Sequence, residues 1–186
     1  MKHIANLLFE AKMLKEVPRS GFHFLGAGTE SVAEHTFSTT FIAFVMVHLN
    51  PQIDALKLIS MCLLHDLPEA RTGDLNAVSK TYVTANETKA LKDTIRHLPF
   101  GSSIIDLIKE FNENHSKEAQ LAHDADQLAL ILELKSLSDI GYDPPDQWLP
   151  HALKRIKTEV AKKIARGIMK THRDDWWLNK YVDTDT

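Results

Sequence analysis

The chain has 186 residues, a formal charge of −3, 44% apolar and 25% charged residues. That suits a soluble globular protein of one domain with a sizeable core, and it leaves no basic footprint for nucleic acid. One cysteine, Cys62, rules out an internal disulfide and fits a reducing compartment.

The first residues, Met1 to Asn6, lack a signal-peptide core. Ile4, Leu7, Leu8, Ala11 and Leu14 then repeat with helical period, so the N-terminal segment reads as an amphipathic helix ended near Pro18. Gly21, Gly26 and Gly28 mark a loop from Arg19 to Glu30. Ser31 and Glu34 form a capping box that opens a long helix to Leu49, with His35 in its first turn. Its most apolar part, Phe37 to Leu49, is short for a bilayer and is interrupted by Ser, Thr and His. A cytoplasmic protein without a membrane partner is expected.

A third helix is expected from Asp54 to His65, with Pro68 opening a further short turn and Gly73-Asp74 a loop. Helices over Glu87–Leu98 and Ser102–Asn114 flank Pro99-Phe100-Gly101. Ser116 caps the next, to about Asp139, and a last long helix is expected from about Asp146 to His172. No strand, repeat or low-complexity segment is apparent. The expected fold is all-α, a helical bundle in one domain over 1–186, with a C-terminal helical extension over about 144–178.

The adjacent pair His65-Asp66 closes an apolar run, where an unpartnered carboxylate is costly to bury. Neighbouring residues diverge by ~100° on a regular helix. Both can meet one ion only beside the helix end, and spacing does not say which other helices complete the set. Asp126 is a further acid entering an almost wholly apolar helix. Cys62 is read as a core residue, Asp124 as an acid on a polar stripe, and Trp148, Trp176 and Trp177 as packing or subunit-contact residues.

Several segments occur together in a recognisable order: Val17-Pro18-Arg19-Ser20-Gly21-Phe22, Glu30 to His35, Leu64 to Glu69, Thr72-Gly73-Asp74-Leu75 and Ala125-Asp126-Gln127-Leu128. In these the chain resembles the HD-domain metal-dependent phosphohydrolases, especially the bacterial 5'-deoxynucleotidases and their eukaryotic HD-domain relatives. The segments cover about residues 1–140. The resemblance implies an all-α HD-domain bundle and one divalent metal ion (Mn, Co, Fe, Ni, Zn or Mg) on His35, His65, Asp66 and Asp126. It also implies catalytic roles for Glu69 and Asp74; that Glu69 acts on the attacking water and Asp74 at the leaving 5'-oxygen is our own division between them. Arg19 would bind the phosphate, Phe22 would contact the rest of a nucleoside 5'-monophosphate, and Glu110 or Glu113 would accept a hydrogen bond from a sugar hydroxyl. A homodimer is expected on the same ground.

Ser20 is a departure, since the bacterial enzymes carry tryptophan after the arginine. Phe22 stands where the eukaryotic relatives have tryptophan. The choice between ribose and deoxyribose therefore stays open. Two other readings also remain: an HD-type hydrolase of a guanosine alarmone or a nucleoside triphosphate, and a catalytically silent nucleotide-binding module.

Overall fold

The computed structural model describes residues 1–182, with side-chain surroundings through Leu178, and these residues form twelve helical segments. They are α1 (Lys2–Met13), α2 (Phe22–Leu25), α3 (Val32–Leu49), α4 (Ala55–Leu64), α5 (Glu69–Thr72), α6 (Ser79–Tyr82), α7 (Glu87–Ile95), α8 (Gly101–Glu113), α9 (Lys117–Asp139), α10 (Pro145–Arg155), α11 (Glu159–Lys170) and α12 (Asp175–Val182). The only β pairing among the described residues is an isolated bridge, Pro18 to Ser31.

Capping fixes the starts of the long helices. Ser31 and Glu34 complete their capping box at α3. Asp54 accepts from the Lys57 N–H at α4, and Ser116 accepts from the Ala119 N–H at α9. The centre of the bundle is α9, which packs against α3, α4, α8, α10 and α11. Its Leu128, Ile131 and Leu134 are fully buried, each worth about 1.5–3 kcal/mol of apolar transfer.

The N-terminal stripe faces inward as its period suggests, with Ile4, Leu7 and Ala11 half-buried. No residue of α1 is fully buried, although Leu14 just beyond it is. The helix is also tied by Glu10, whose carboxylate pairs with Arg71 of α5 and accepts from the Thr94 hydroxyl of α7 at 2.7 Å. By length and composition α3 could cross a membrane, but its His35 is wholly buried and the helix packs on α4 and α9.

The expected single helix over 146–172 is broken in two. Ile156 is extended, and Thr158 caps α11 through its hydroxyl. The break is held by Asp124, which accepts from the backbone N–H groups of Lys157 at 2.9 Å and Thr158 at 2.7 Å. Asp124 is 1% exposed, so it is a buried clasp between α9 and the start of α11 and not a solvated acid. Asp124→Ala would leave two buried backbone donors unpaired and is expected to cost about 2–4 kcal/mol. Urea unfolding measures it, and a loss below about 0.5 kcal/mol would remove the clasp's importance.

The Pro18–Ser31 bridge closes the 19–30 loop, and the Arg19 N–H donates to the Glu30 carbonyl at 2.8 Å. Within the loop, Gly28 has φ +82°, and a Cβ there would stand 3.0 Å from the Phe22 ring and 3.3 Å from Leu137. Glycine thus lets the loop lie on α9 beside Phe22. Tyr142, between α9 and α10, donates its hydroxyl to the Leu25 carbonyl and pins the loop from the other side.

Candidate metal centre

Three helices and one turn converge on a buried point. His35 comes from the first turn of α3 and Asp126 from the middle of α9. The helix α4 ends at Leu64 with His65 as its C-cap, so Asp66 lies in the turn that follows. That termination lets the two neighbours face one place. His35, His65 and Asp126 each offer a ligand atom within 4.8 Å of one another. Asp66 stands at the edge of the cluster, its Oδ2 3.2 Å from His65 Nε2, 3.9 Å from His35 Nε2 and 3.8 Å from Arg19 Nη1.

The donors suit a cation. His65 is anchored through Nδ1 to the Cys62 carbonyl at 2.8 Å, which directs Nε2 to the cluster. The buried atoms His65 Nε2, Asp66 Oδ2 and Glu69 Oε2 have no hydrogen-bond partner. Such orphaned polar atoms are expensive unless an ion or water completes them. Asp126 divides its oxygens, Oδ1 lying 2.8 Å from His35 Nε2 and Oδ2 accepting from Gln127 at 3.0 Å. Glu30 Oε2 lies 3.8 Å behind His35, on the Nδ1 side. Imidazole and carboxylate together fit a first-row divalent metal.

Charge is concentrated here. Burial disfavours the His65 imidazolium, but the close charge of Asp66, then that of Asp126 and the Cys62 carbonyl, push its pKa up to about 9. Burial opposes ionisation of Asp126, yet the hydrogen bond and charge of His35, then His65 and Arg19, hold it well below the usual carboxylate range. Glu69 is raised to about 9, first by burial and then by the charges of Asp66 and Asp74. Glu30 is raised to about 8, mainly by burial.

Arg19 and Asp74 form the rim. Arg19 Nη1 is 3.6 Å from Asp74 Oδ1, and Arg19 Nε is 3.8 Å from Glu30 Oε2. Asp74 Oδ2 accepts from the Ser20 N–H at 2.6 Å and from the Ser20 hydroxyl at 3.1 Å. The serine beside Arg19 therefore orients the acid across the rim.

A cavity of about 720 Å³ opens from this cluster and is lined by Arg19, Phe22, His65, Asp66, Glu69, Asp74 and Asp126. Glu110 and Glu113 do not line it. Glu110 pairs with Lys57 at 3.1 Å, and Glu113 lies 3.7 Å from Lys109 at an exposed position. The cavity instead takes in residues that carry no motif: His123, Trp148 and Arg155. His123 stacks on Phe111 at 4.0 Å and lies 2.9 Å, through Nε2, from the Phe111 carbonyl. Its spacing of three residues before Asp126 was the available sequence signal, since that places both on one face of α9.

An all-α bundle that brings two histidines and two aspartates to a buried point, under an arginine rim, defines a helical metal-site protein of hydrolase type. The chain belongs to the HD domain family, whose model matches residues 11–168. It is 27% identical over 137 residues to 5'-deoxynucleotidase HDDC2 of Mus musculus, covering 70% of this chain and 68% of that one. With the Danio rerio protein of the same name it shares 25% over 183 residues, covering 87% and 90%. A conserved hypothetical protein from Pyrococcus furiosus superposes with a TM-score of 0.77 at 27% identity, over 90% of this chain and 99% of that one. A predicted metal-dependent phosphohydrolase from Magnetospirillum magnetotacticum, at 20% identity and a TM-score of 0.70, covers 91% of this chain and 90% of that one and shows a shared fold alone.

Proposed function

We propose that the protein is a metal-dependent phosphomonoesterase that releases phosphate from nucleoside 5'-monophosphates, with deoxyribonucleotides as the favoured class. The observation that carries this is that His65, Asp66 and Asp126 line one cavity with Glu69, Asp74 and Arg19. The names of the similar 5'-deoxynucleotidases support it.

One divalent ion on His35, His65, Asp66 and Asp126 would supply Lewis acidity and make a water acidic enough to attack near neutral pH. Glu69 follows that donor pair by one short turn and is buried; with a bound cation offsetting the carboxylates that raise its pKa, it would be ionised to hold the attacking water and take its proton. Asp74, fixed by Ser20, would handle the proton at the leaving 5'-oxygen. Arg19 offers a planar fork to the phosphate, and although burial disfavours its charge, the carboxylates of Asp74, Asp66, Asp126 and Glu30 around it keep it charged. A phosphate-release screen over ribo- and deoxyribonucleoside mono-, di- and triphosphates, with Mn, Co, Mg and Zn in turn, tests the reading. Turnover confined to triphosphates would overturn it.

His65 must give up a proton before its Nε2 can ligate. Metal uptake near pH 7 is therefore expected to release protons, and affinity should rise as the pH climbs toward about 9. Titration calorimetry in buffers of different ionisation enthalpy measures this directly. Buffer-independent heats would contradict it.

We further infer a cytoplasmic homodimer. A second copy would cover the outer face of α3, where Phe37, Phe41 and Phe44 are exposed and their rings follow one another at 6.1 Å spacing. Sedimentation of the wild type and of Phe41→Glu is expected to show a dimer and a monomer respectively.

A further inference from the structure

The helix α10 carries none of the ordered motifs, yet it supplies one wall of the cavity through Trp148 and Arg155. These residues are seven apart, so they share a face of the helix and stand about 10 Å apart along it. That separation is comparable to the reach of a nucleotide from base to phosphate.

The way α10 lies on α9 says which end is which. The two helices run antiparallel and are fastened at both ends. At one end the Ser138 hydroxyl donates to Asp146 at 2.8 Å. At the other, Asp124 accepts from the N–H groups of Lys157 and Thr158. Arg155 precedes Lys157 by two residues, and Asp126 follows Asp124 by two, so Arg155 belongs to the metal end. Trp148 follows Asp146 by two residues and belongs to the far end. Phe22 is placed at that far end too, because the Gly28 position brings its ring beside Leu137.

The two ends differ in chemistry. The far end presents Trp148 and Phe22, which offer aromatic faces to a flat ring and, apart from the indole N–H, no side-chain hydrogen-bonding groups. The metal end presents Arg155, exposed and without an ion-pair partner among the described residues. Arg19, by contrast, is held among Glu30, Asp66 and Asp74. A guanidinium not engaged by a carboxylate, on the wall of the same cavity, is suited to an incoming phosphate.

We propose that α10 is the substrate-reading wall of the site: Trp148 stacks on the nucleobase and Arg155 binds the phosphate end. This rests on the nucleoside monophosphate reading and adds the residues that select within it. Trp148 also packs on the core, so its replacements stay large and apolar. Trp148→Leu keeps an apolar side chain without an aromatic face, and Trp148→Phe restores one.

The test is steady-state phosphate release from a deoxynucleoside 5'-monophosphate and from 2-deoxyribose 5-phosphate, which lacks the base. Trp148→Leu is expected to raise KM about tenfold for the nucleotide only, with kcat nearly unchanged and Trp148→Phe close to wild type. Arg155→Ala is expected to raise KM about tenfold for both substrates. Wild-type failure on every nucleotide overturns the functional reading itself. Wild-type turnover with unchanged KM in Trp148→Leu and Arg155→Ala overturns this assignment alone, as does an equal effect of Trp148→Leu on both substrates.

Discussion

Asp126→Ala is expected to remove bound metal and phosphate release together. Asp126 is the one member of the donor cluster contributed by α9, and its Oδ1 lies 2.8 Å from His35 Nε2. Without it the remaining donors are two imidazoles and an edge carboxylate already beside Arg19. Metal chemistry of this kind contributes several kcal/mol to the transition state, so activity should fall about a thousandfold or more. Elemental analysis of the purified variant should find metal at background, with helical circular dichroism preserved. Full phosphate release from a metal-free Asp126→Ala protein would sink the metal mechanism.

Glu69→Gln separates chemistry from binding. The amide keeps the shape of the side chain but has no proton-accepting carboxylate. Metal content should therefore hold while kcat falls about 10²- to 10⁴-fold. Stability should move the other way. The carboxyl titrates near 4.5 when unfolded and near 9 in the metal-free fold, so the folded state keeps a proton that the unfolded chain gives up. Its contribution to the metal-free protein is whole below about pH 4.5 and is lost as pH rises toward 9. Metal-free Glu69→Gln should accordingly melt above metal-free wild type at pH 8, and the gap should close toward pH 5. Thermal melts after chelation measure it. A variant with normal kcat would take Glu69 out of the chemistry, and a pH-independent gap would contradict its buried protonated state.

Much of the fold was legible because helix starts are local events. Ser31 with Glu34, Asp54 and Ser116 all cap the helices expected from them. The break at 156–158 was not legible, because its cause is a carboxylate more than thirty residues away. Periodicity found α1, whose Ile4, Leu7 and Ala11 are half-buried, but gave no sign of the polar contact of Glu10 with Arg71 and Thr94 that ties it. The short α6 left no signal that periodicity could use.

The site divides in the same way. Spacing alone could not bring His65 and Asp66 to one ion, and the structure does so by ending α4 between Leu64 and Asp66. The family-like segments named the groups that line the rim and centre. They were silent on Trp148 and Arg155, since those enter the cavity only through the packing of α10 on α9. They also suggested Glu110 and Glu113, whose partners turned out to be Lys57 and Lys109. A charge on an exposed helix face carries no sequence mark of which neighbour will claim it.

Asp124 and Asp126 lie two positions apart and so leave α9 on nearly opposite sides. One holds the backbone ahead of α11 and the other faces the histidines. A chain cut near residue 140 would keep every recognisable motif and still lose the strut that braces the metal-bearing helix from behind. The motif-bearing stretch is therefore not expected to hold the site by itself. Efforts to shorten this protein, graft its centre or fuse a partner to it should treat the helices after residue 144 as part of the catalytic frame.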